Sequence, residues 1–346
     1  MSYIQRLRIQ ALRNLGRIDL ELPRGVVWLV GPNGSGKTTL LEAIYLLSRG
    51  ASFRGRRFGP LTTRGAPSTR LDSWIVRGEQ TFKQSWYCGS GRATEFSGGE
   101  FSTRLIGSSM HALLEGEPAL RRRFIDWNVF HVEPGYVQLR MQFRRISHQR
   151  NAWLRNGGNG PPVWDADYAG MLVRIADIRS RVFERIRREF LELAEGFSAA
   201  PAVDPCWHSG LAEGQDALAV LAKQRDGDIA RGHTFLSPAR ADFTLTQRGA
   251  RWVGSRGQNK FLGMLLQLSA DRMVRKTGGE PAVWLVDDPG AELDPMTLDA
   301  ILPLIFQAGE QTLVTGVVGP TEAVVMAWQP NMFHVERGEV LGPAHA

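Results

Sequence analysis

Residues Ile4 to Ile9 alternate apolar and polar side chains, and Ile18 to Leu22 repeat the pattern after a short polar link. A period of two predicts a pair of half-buried antiparallel strands. Val26 to Val30 is instead a continuous apolar run that predicts a buried strand, followed by a glycine-rich turn and an amphipathic helix over Thr38 to Ser48. Short alternating segments between residues 71 and 106 predict a β-meander that completes the same β-rich subsheet. From Tyr136 the spacing becomes helical, with Leu139, Phe143 and Ile146 as a stripe, Val137 and Met141 joining it, and Arg140, Arg144, Arg145 and Arg150 on other faces.

The Gly/Pro segment 157–162 ends that helix. A second long helix is predicted from Asp167 to Glu195, with Leu172, Ile175, Ile178, Val182 and Ile186 inward. Two such antiparallel helices would form an arm. Residues 196–235 carry few signals. Beyond them, Phe243 to Thr246 reads as a strand, residues 252–274 open a long amphipathic helix, Val283 to Val286 is a buried strand, and Gln311 to Thr315 is another.

With 346 residues the chain can bury one large core or two. It has no apolar run of eighteen residues and no apolar stretch of signal-peptide type at its N-terminus, which leads to the expectation of a cytoplasmic protein without a membrane partner. Cys88 and Cys206 stand apart, without metal-ligand spacing. The net charge is +7, and of 42 basic residues only five are Lys. Arginine forks suit phosphate oxygens, although a GC-rich genome would favour Arg equally. The positive balance itself favours an anionic polymer as partner.

The glycine-rich turn carries the clearest chemistry. Gly31, Pro32, Asn33, Gly34, Ser35, Gly36, Lys37, Thr38 and Thr39 fit GxxxxGK[ST] between a strand and a helix, the context in which this loop cradles a nucleotide's phosphates. Lys37 would reach the terminal phosphates, Thr38 would offer a hydroxyl to Mg²⁺, and the helix dipole would face the same anion. Val283 to Val286 would deliver Asp287 and Asp288 to the end of a parallel strand, a Walker B arrangement. Asp287 would then serve the metal beside Thr38, and Asp288 would orient or deprotonate the attacking water. Asp-Asp-Pro-Gly is also a good β-turn sequence.

Ser255, Arg256, Gly257 and Gln258 open a helix, whose free N–H groups can bind a γ-phosphate. In an ABC-type ATPase that phosphate belongs to a partner subunit, which implies an ATP-sandwiched homodimer. Alone, the same residues would be an ordinary helix cap. Their position about thirty residues before the Asp pair, with Glu292, Leu293 and Asp294 following, sharpens the reading.

At this point the chain resembles the RecF family of bacterial DNA replication and repair ATPases over most of its length. Residues 31–57 look like that family's N-terminal signature, including Ser52, Phe53 and Arg54; residues 115–136 and 146–154 look like its middle signatures, and 255–269 with 287–294 like its C-terminal ones. The resemblance implies an α/β fold: an ABC-type (Rad50/SMC-like) P-loop ATPase head with an inserted α-helical lobe. Residues 1–117 would be the N-terminal part of the head, 118–235 the lobe, and 236–346 the C-terminal part of the head.

It further implies ATP and Mg²⁺ as cofactors, slow DNA-stimulated hydrolysis, binding to gapped or single-stranded/double-stranded junction DNA, and help in RecA loading with RecO and RecR. Thr38 and Asp287 would hold the metal, Asp288 and Lys37 would be catalytic, Glu292 and Asp294 would form the D-loop, and Thr315 would be the switch. Arg54, Arg56, Arg57 and Arg121, Arg122 and Arg123 are candidate DNA contacts. The chain departs from the family at Ser237-Pro238-Ala239-Arg240, where a Gly-Pro-His-Arg element is usual, and at 106–114, which lacks a Phe-x-Pro element.

Two other classes compete. One is an ATPase module of a transporter motor or defence system, which would co-purify with a membrane or nuclease subunit. The other is a small-molecule phosphotransferase, which would leave Ser255 to Gln258 without a use.

Overall fold

The computed structural model describes residues 2–55, 61–89, 92–198, 200–212, 214–290 and 293–342. The chain groups into two compact units, Met1–Met110 with Glu280–Ala346, and His111–Gly279. The first unit starts with β1 (Ser2–Leu12), β2 (Leu15–Glu21), β3 (Gly25–Val30) and α1 (Lys37–Arg49), then β4 (Ser68–Arg77), β5 (Gln80–Gly89), β6 (Arg92–Phe96) and β7 (Thr103–Ile106). As expected, β1 and β2 pair antiparallel, and β4 to β6 extend them into one five-stranded sheet ordered β2-β1-β4-β5-β6.

The last segment of the expected meander behaves differently. β7 leaves this sheet and runs parallel to a later strand, because Thr103 and Ile106 are wholly buried and Arg104 nearly so. A strand covered on both faces belongs in a parallel sheet rather than at a half-solvated edge.

The second unit holds α2 (Ala112–Glu115), α3 (Pro118–Val132), α4 (Tyr136–Arg155), α5 (Asp165–Glu195), β8 (Asp204–His208), α6 (Ala217–Arg231), β9 (Asp242–Gln247), β10 (Ala250–Arg251) and α7 (Arg256–Lys276). At about 1.5 Å per residue the 31 residues of α5 span roughly 46 Å, and its inward stripe is the expected one. It packs against α3, α4, α6 and α7. The partition differs from the expected boundaries: residues 236–279 group with the helical segment, because β9 pairs with β8 and α7 lies along α5.

Two expectations for α4 are corrected. Val137 and Met141 are exposed, at 42% and 67%, whereas Arg150 is wholly buried. Arg150 follows Phe143 by two turns and so falls on the inward face. Its guanidinium donates to Asp165 Oδ1 at 2.8 Å, Asp228 Oδ2 at 3.1 Å and Thr234 Oγ1 at 2.6 Å. Removing one member of such a cluster leaves buried carboxylates short of a partner, so Arg150→Ala is expected to lower stability by about 3–5 kcal/mol in urea unfolding. A loss under about 1 kcal/mol would show that Arg225 and Arg231, which also reach Asp165 and Asp228, suffice.

The chain then returns to the first unit with β11 (Val283–Asp287), α8 (Pro295–Ala308), β12 (Gln311–Gly316), α9 (Glu322–Trp328), β13 (Asn331–Glu336) and β14 (Glu339–Leu341). The second sheet is ordered β14-β13-β3-β12-β11-β7, parallel except for β14. Helix α1 packs against strands of both sheets, with Leu40, Leu41, Ala43, Ile44, Leu46 and Leu47 at most 1% exposed. This buried layer fixes the N-terminal end of α1 against the ends of β3, β12 and β11. No helix among the described residues is long and apolar enough to cross a membrane.

Candidate functional site

Three adjacent parallel strands end side by side. Register places Thr315 on β12 opposite Leu29 of β3 on one side and Asp287 of β11 on the other. The loop after β3 therefore opens beside Asp287 and Thr315, the carboxyl-end crevice at which open α/β sheets bind ligands.

Within that loop Gly34 and Gly36 take φ of 79° and 120°, the left-handed region that glycine enters without strain. At Gly31 a Cβ would lie 2.0 Å from the Val335 carbonyl oxygen, so only glycine fits where the loop passes β13. Lys37 Nζ folds back onto the loop, donating to the Gly31 and Pro32 carbonyls at 2.7 and 2.9 Å. Burial pushes its pKa below the ordinary lysine value, and Asp288 and Asp287 partly counter that.

The residues expected to serve a metal meet. The Thr38 hydroxyl donates to Asp287 Oδ1 at 2.8 Å, and the Thr315 hydroxyl donates to the same oxygen at 2.8 Å. Thr315 Oγ1 also accepts from the Asp288 amide at 3.0 Å. Asp288 is exposed and takes φ of 47°, a strained value for a residue with a side chain. Among the described residues no group of three or more His, Cys, Asp or Glu could hold a metal unaided. An oxygen pair of this kind suits Mg²⁺, which is commonly bound by one or two carboxylates together with substrate phosphates. A cavity of about 430 Å³ lies over these groups, lined by Asn33, Gly34, Lys37, Thr38, Asp287, Asp288 and Thr315.

The sequence reading missed part of this lining. Arg13 and Asn14, in the turn between β1 and β2, also face the cavity. Asn14 Nδ2 donates to the Gly34 carbonyl at 3.0 Å, and its Oδ1 accepts from Thr39 at 3.1 Å. Arg13 binds the wholly buried Glu42 through two bonds of 2.5 and 2.8 Å. Glu42 also accepts from Ser52 and lies 3.8 Å from Arg54, which lines the cavity. The one available signal was Glu42 itself, an acid amid the apolar residues of α1. Ser35, by contrast, is a loop contact whose carbonyl accepts from the Gly338 amide at 2.9 Å.

On the second unit, Ser255 caps α7. Its hydroxyl accepts from the Gln258 amide at 3.2 Å while Gln258 Oε1 accepts from the Ser255 amide at 2.9 Å, a closed capping box. Ser255, Arg256 and Gln258 are exposed and Gly257 is half-buried. The amides of Arg256 and Gly257 belong to the first turn and have no acceptor within the helix. Asp294 caps α8, accepting from the Thr297 amide at 2.9 Å and hydroxyl at 2.6 Å, bonds that hold its pKa low. Glu292, Arg56 and Arg57 lie outside the described residues.

Of the remaining arginine candidates, Arg121 is corrected. It is 3% exposed and paired with Asp242 at 2.7 and 2.9 Å, so it is a structural residue with no free face for a polyanion. Arg122 is half-buried and donates to the Ala241 carbonyl, whereas Arg123 is exposed.

The RecF/RecN/SMC N terminal domain model matches residues 3–329. A DNA replication and repair protein RecF from Pseudomonas putida (strain GB-1) is 31% identical, with 97% of each chain covered. Its counterpart from Vibrio parahaemolyticus is 28% identical over 97% of this chain and 99% of its own. Among solved structures, the recombination mediator protein RecF with ATP, of the RecFOR pathway, superposes with a TM-score of 0.84 at 22% identity over 99% and 98% of the two chains. The Smc head domain of Pyrococcus furiosus gives 0.55 at 16% identity, over 99% and 97%.

Proposed function

Since the chain belongs to the RecF family, within the RecF/RecN/SMC N-terminal domain proteins, we propose that it is an ATP-dependent DNA-binding ATPase of recombinational repair that works as an ATP-bound homodimer. The observation that carries this reading is the convergence of Thr38 and Thr315 on one oxygen of Asp287, at 2.8 Å each, beneath a loop closed by Lys37. That arrangement is one wall of a nucleotide site. It would hold the β- and γ-phosphates, with Mg²⁺ at Thr38 and Asp287 spreading the phosphate charge.

Catalysis of phosphoryl transfer consists mostly of positioning and charge stabilisation, so a half-site with few donors on its open side hydrolyses slowly. Ser255 to Gln258 would supply the missing donors from a second copy: their first-turn amides and the positive end of the helix dipole suit a γ-phosphate. Asp294 would sit at the same seam. Gapped or junction DNA is the proposed partner, with RecO and RecR assisting RecA loading. The +7 charge fits a polyanion, and such binding weakens with salt because releasing the condensed counterions gains less at higher ionic strength.

Sedimentation with ATP and with a gapped duplex tests the dimer. Wild type should shift from monomer to dimer with ATP and carry the DNA with it. Ser255→Arg should remain monomeric while still binding ATP, since losing the cap costs only about 1 kcal/mol. An ATP-dependent dimer in that variant, or DNA affinity indifferent to ATP, would overturn the proposal.

A further inference from the structure

A larger hollow than the nucleotide cavity, about 790 Å³, lies wholly within the second unit between α3, α4 and residues 237–239. Its exposed lining on α4 reads Val137, Arg140, Met141, Arg144 and His148, spaced i, i+3, i+4, i+7 and i+11 and therefore on one helix face. Phe130, 49% exposed, and Arg123 face it from α3.

Among the described lining residues, Asp126 is the one carboxylate opposite these cations. Asp126 accepts from Arg179 at 2.8 Å on each oxygen, from Tyr136 at 2.5 Å and from Arg140 at 2.9 Å, so its charge is already answered. Among the described residues Arg123 and Arg144 make no hydrogen bond or ion pair.

We infer that this groove docks an acidic peptide segment of a protein partner, its carboxylates on Arg123, Arg140 and Arg144 and its apolar side chains on Val137, Met141 and Phe130. Exposed Met and aromatic residues beside unpaired Arg are the make-up of a protein-binding hot spot. A single-stranded polynucleotide fits less well. Stacking along a strand needs several open aromatic faces, but Val137 and Met141 are aliphatic and Phe130 already stacks on Trp127 with centroids 5.9 Å apart, which leaves His148 as the one open ring among these exposed residues. The groove is thus assigned apart from the DNA and nucleotide reading, and Arg123 with it.

Fluorescence anisotropy on the full chain without nucleotide tests the assignment. The probes are a short labelled peptide alternating Glu with Leu and Phe, a control with Ser in place of Leu and Phe, and an oligodeoxythymidylate. The first peptide should bind. Arg144→Glu should weaken it roughly tenfold and Met141→Ser by several-fold, both at exposed positions that the fold does not use. A peptide carrying Lys in place of Glu should bind the Arg144→Glu variant better than wild type. The inference fails if the Ser control binds equally well, if the oligonucleotide is the ligand that Arg144→Glu releases, or if neither variant changes peptide binding.

Discussion

In the Lys37→Ala variant, ATP no longer raises the melting temperature. Lys37 Nζ sits among the loop carbonyls it now bonds, and under the proposed function it would be the cation facing the terminal phosphates of a bound nucleotide. Truncating one partner of a buried charged pair costs about 2–5 kcal/mol, so ATP affinity should fall by roughly 30-fold to 4,000-fold. A ligand at free concentration L that binds only the native state stabilises it by RT ln(1 + L/Kd), so the thermal shift vanishes at ATP concentrations below the weakened Kd. The variant's own melting point checks that the loop survives the loss of the Lys37 bonds. An unaltered ATP-induced shift would sink the reading of this loop.

The same residue gives a pH dependence. In the free protein burial holds the Lys37 pKa down, whereas phosphates favour its charged form. ATP bound at alkaline pH therefore takes up a proton there. Affinity should be full at neutral pH and decline as pH rises through the depressed value, starting below the usual lysine range of about 10.4. Calorimetry in buffers of different ionisation enthalpy would read the proton uptake directly.

The strands of the nucleotide site could be read from the chain because their signals are local. Val26 to Val30 and Val283 to Val286 are unbroken apolar runs, each followed by the residues assigned to the site, and both proved to be central parallel strands. The groups that finish the wall are brought in by long-range pairing. Arg13 and Asn14 look like turn residues and nothing more, until β1 and β2 fold against α1 and carry the turn to Gly34 and Glu42. β7 has the alternation of its neighbours, and only the burial of Thr103, Arg104 and Ile106 assigns it to the other sheet.

Arg150 was misplaced for a related reason. A charge on a helical stripe reads as a break in the stripe, because Asp165 and Asp228, which neutralise it, lie 15 and 78 residues away. Once it is counted inward, Leu139, Phe143, Ile146, Arg150 and Leu154 form a continuous face. Val137 and Met141 then fall outside it, which is why they are free to line the groove.

The two carboxylates at the end of β11 should separate when substituted, because their surroundings differ. Asp287 is held by Thr38 and Thr315, each at 2.8 Å, and under the proposed function it would be the metal partner. Asp288 points into the cavity lining, and no hydrogen bond from a described residue restrains its carboxylate. Asp287→Ala should therefore remove the Mg²⁺ dependence of ATP binding. Asp288→Asn should leave ATP binding and the ATP-induced dimer in place and lower turnover by about 10²- to 10⁴-fold, the scale of a general base. Asparagine is the informative replacement, because Asp288 lies at φ 47° and Asn tolerates that region better than Ala. A loss of turnover can then be traced to the missing carboxylate rather than to a rearranged strand end. Phosphate release measured beside sedimentation separates the two effects. If Asp288→Asn kept wild-type turnover, the water-activating role would pass to another group on the cavity wall.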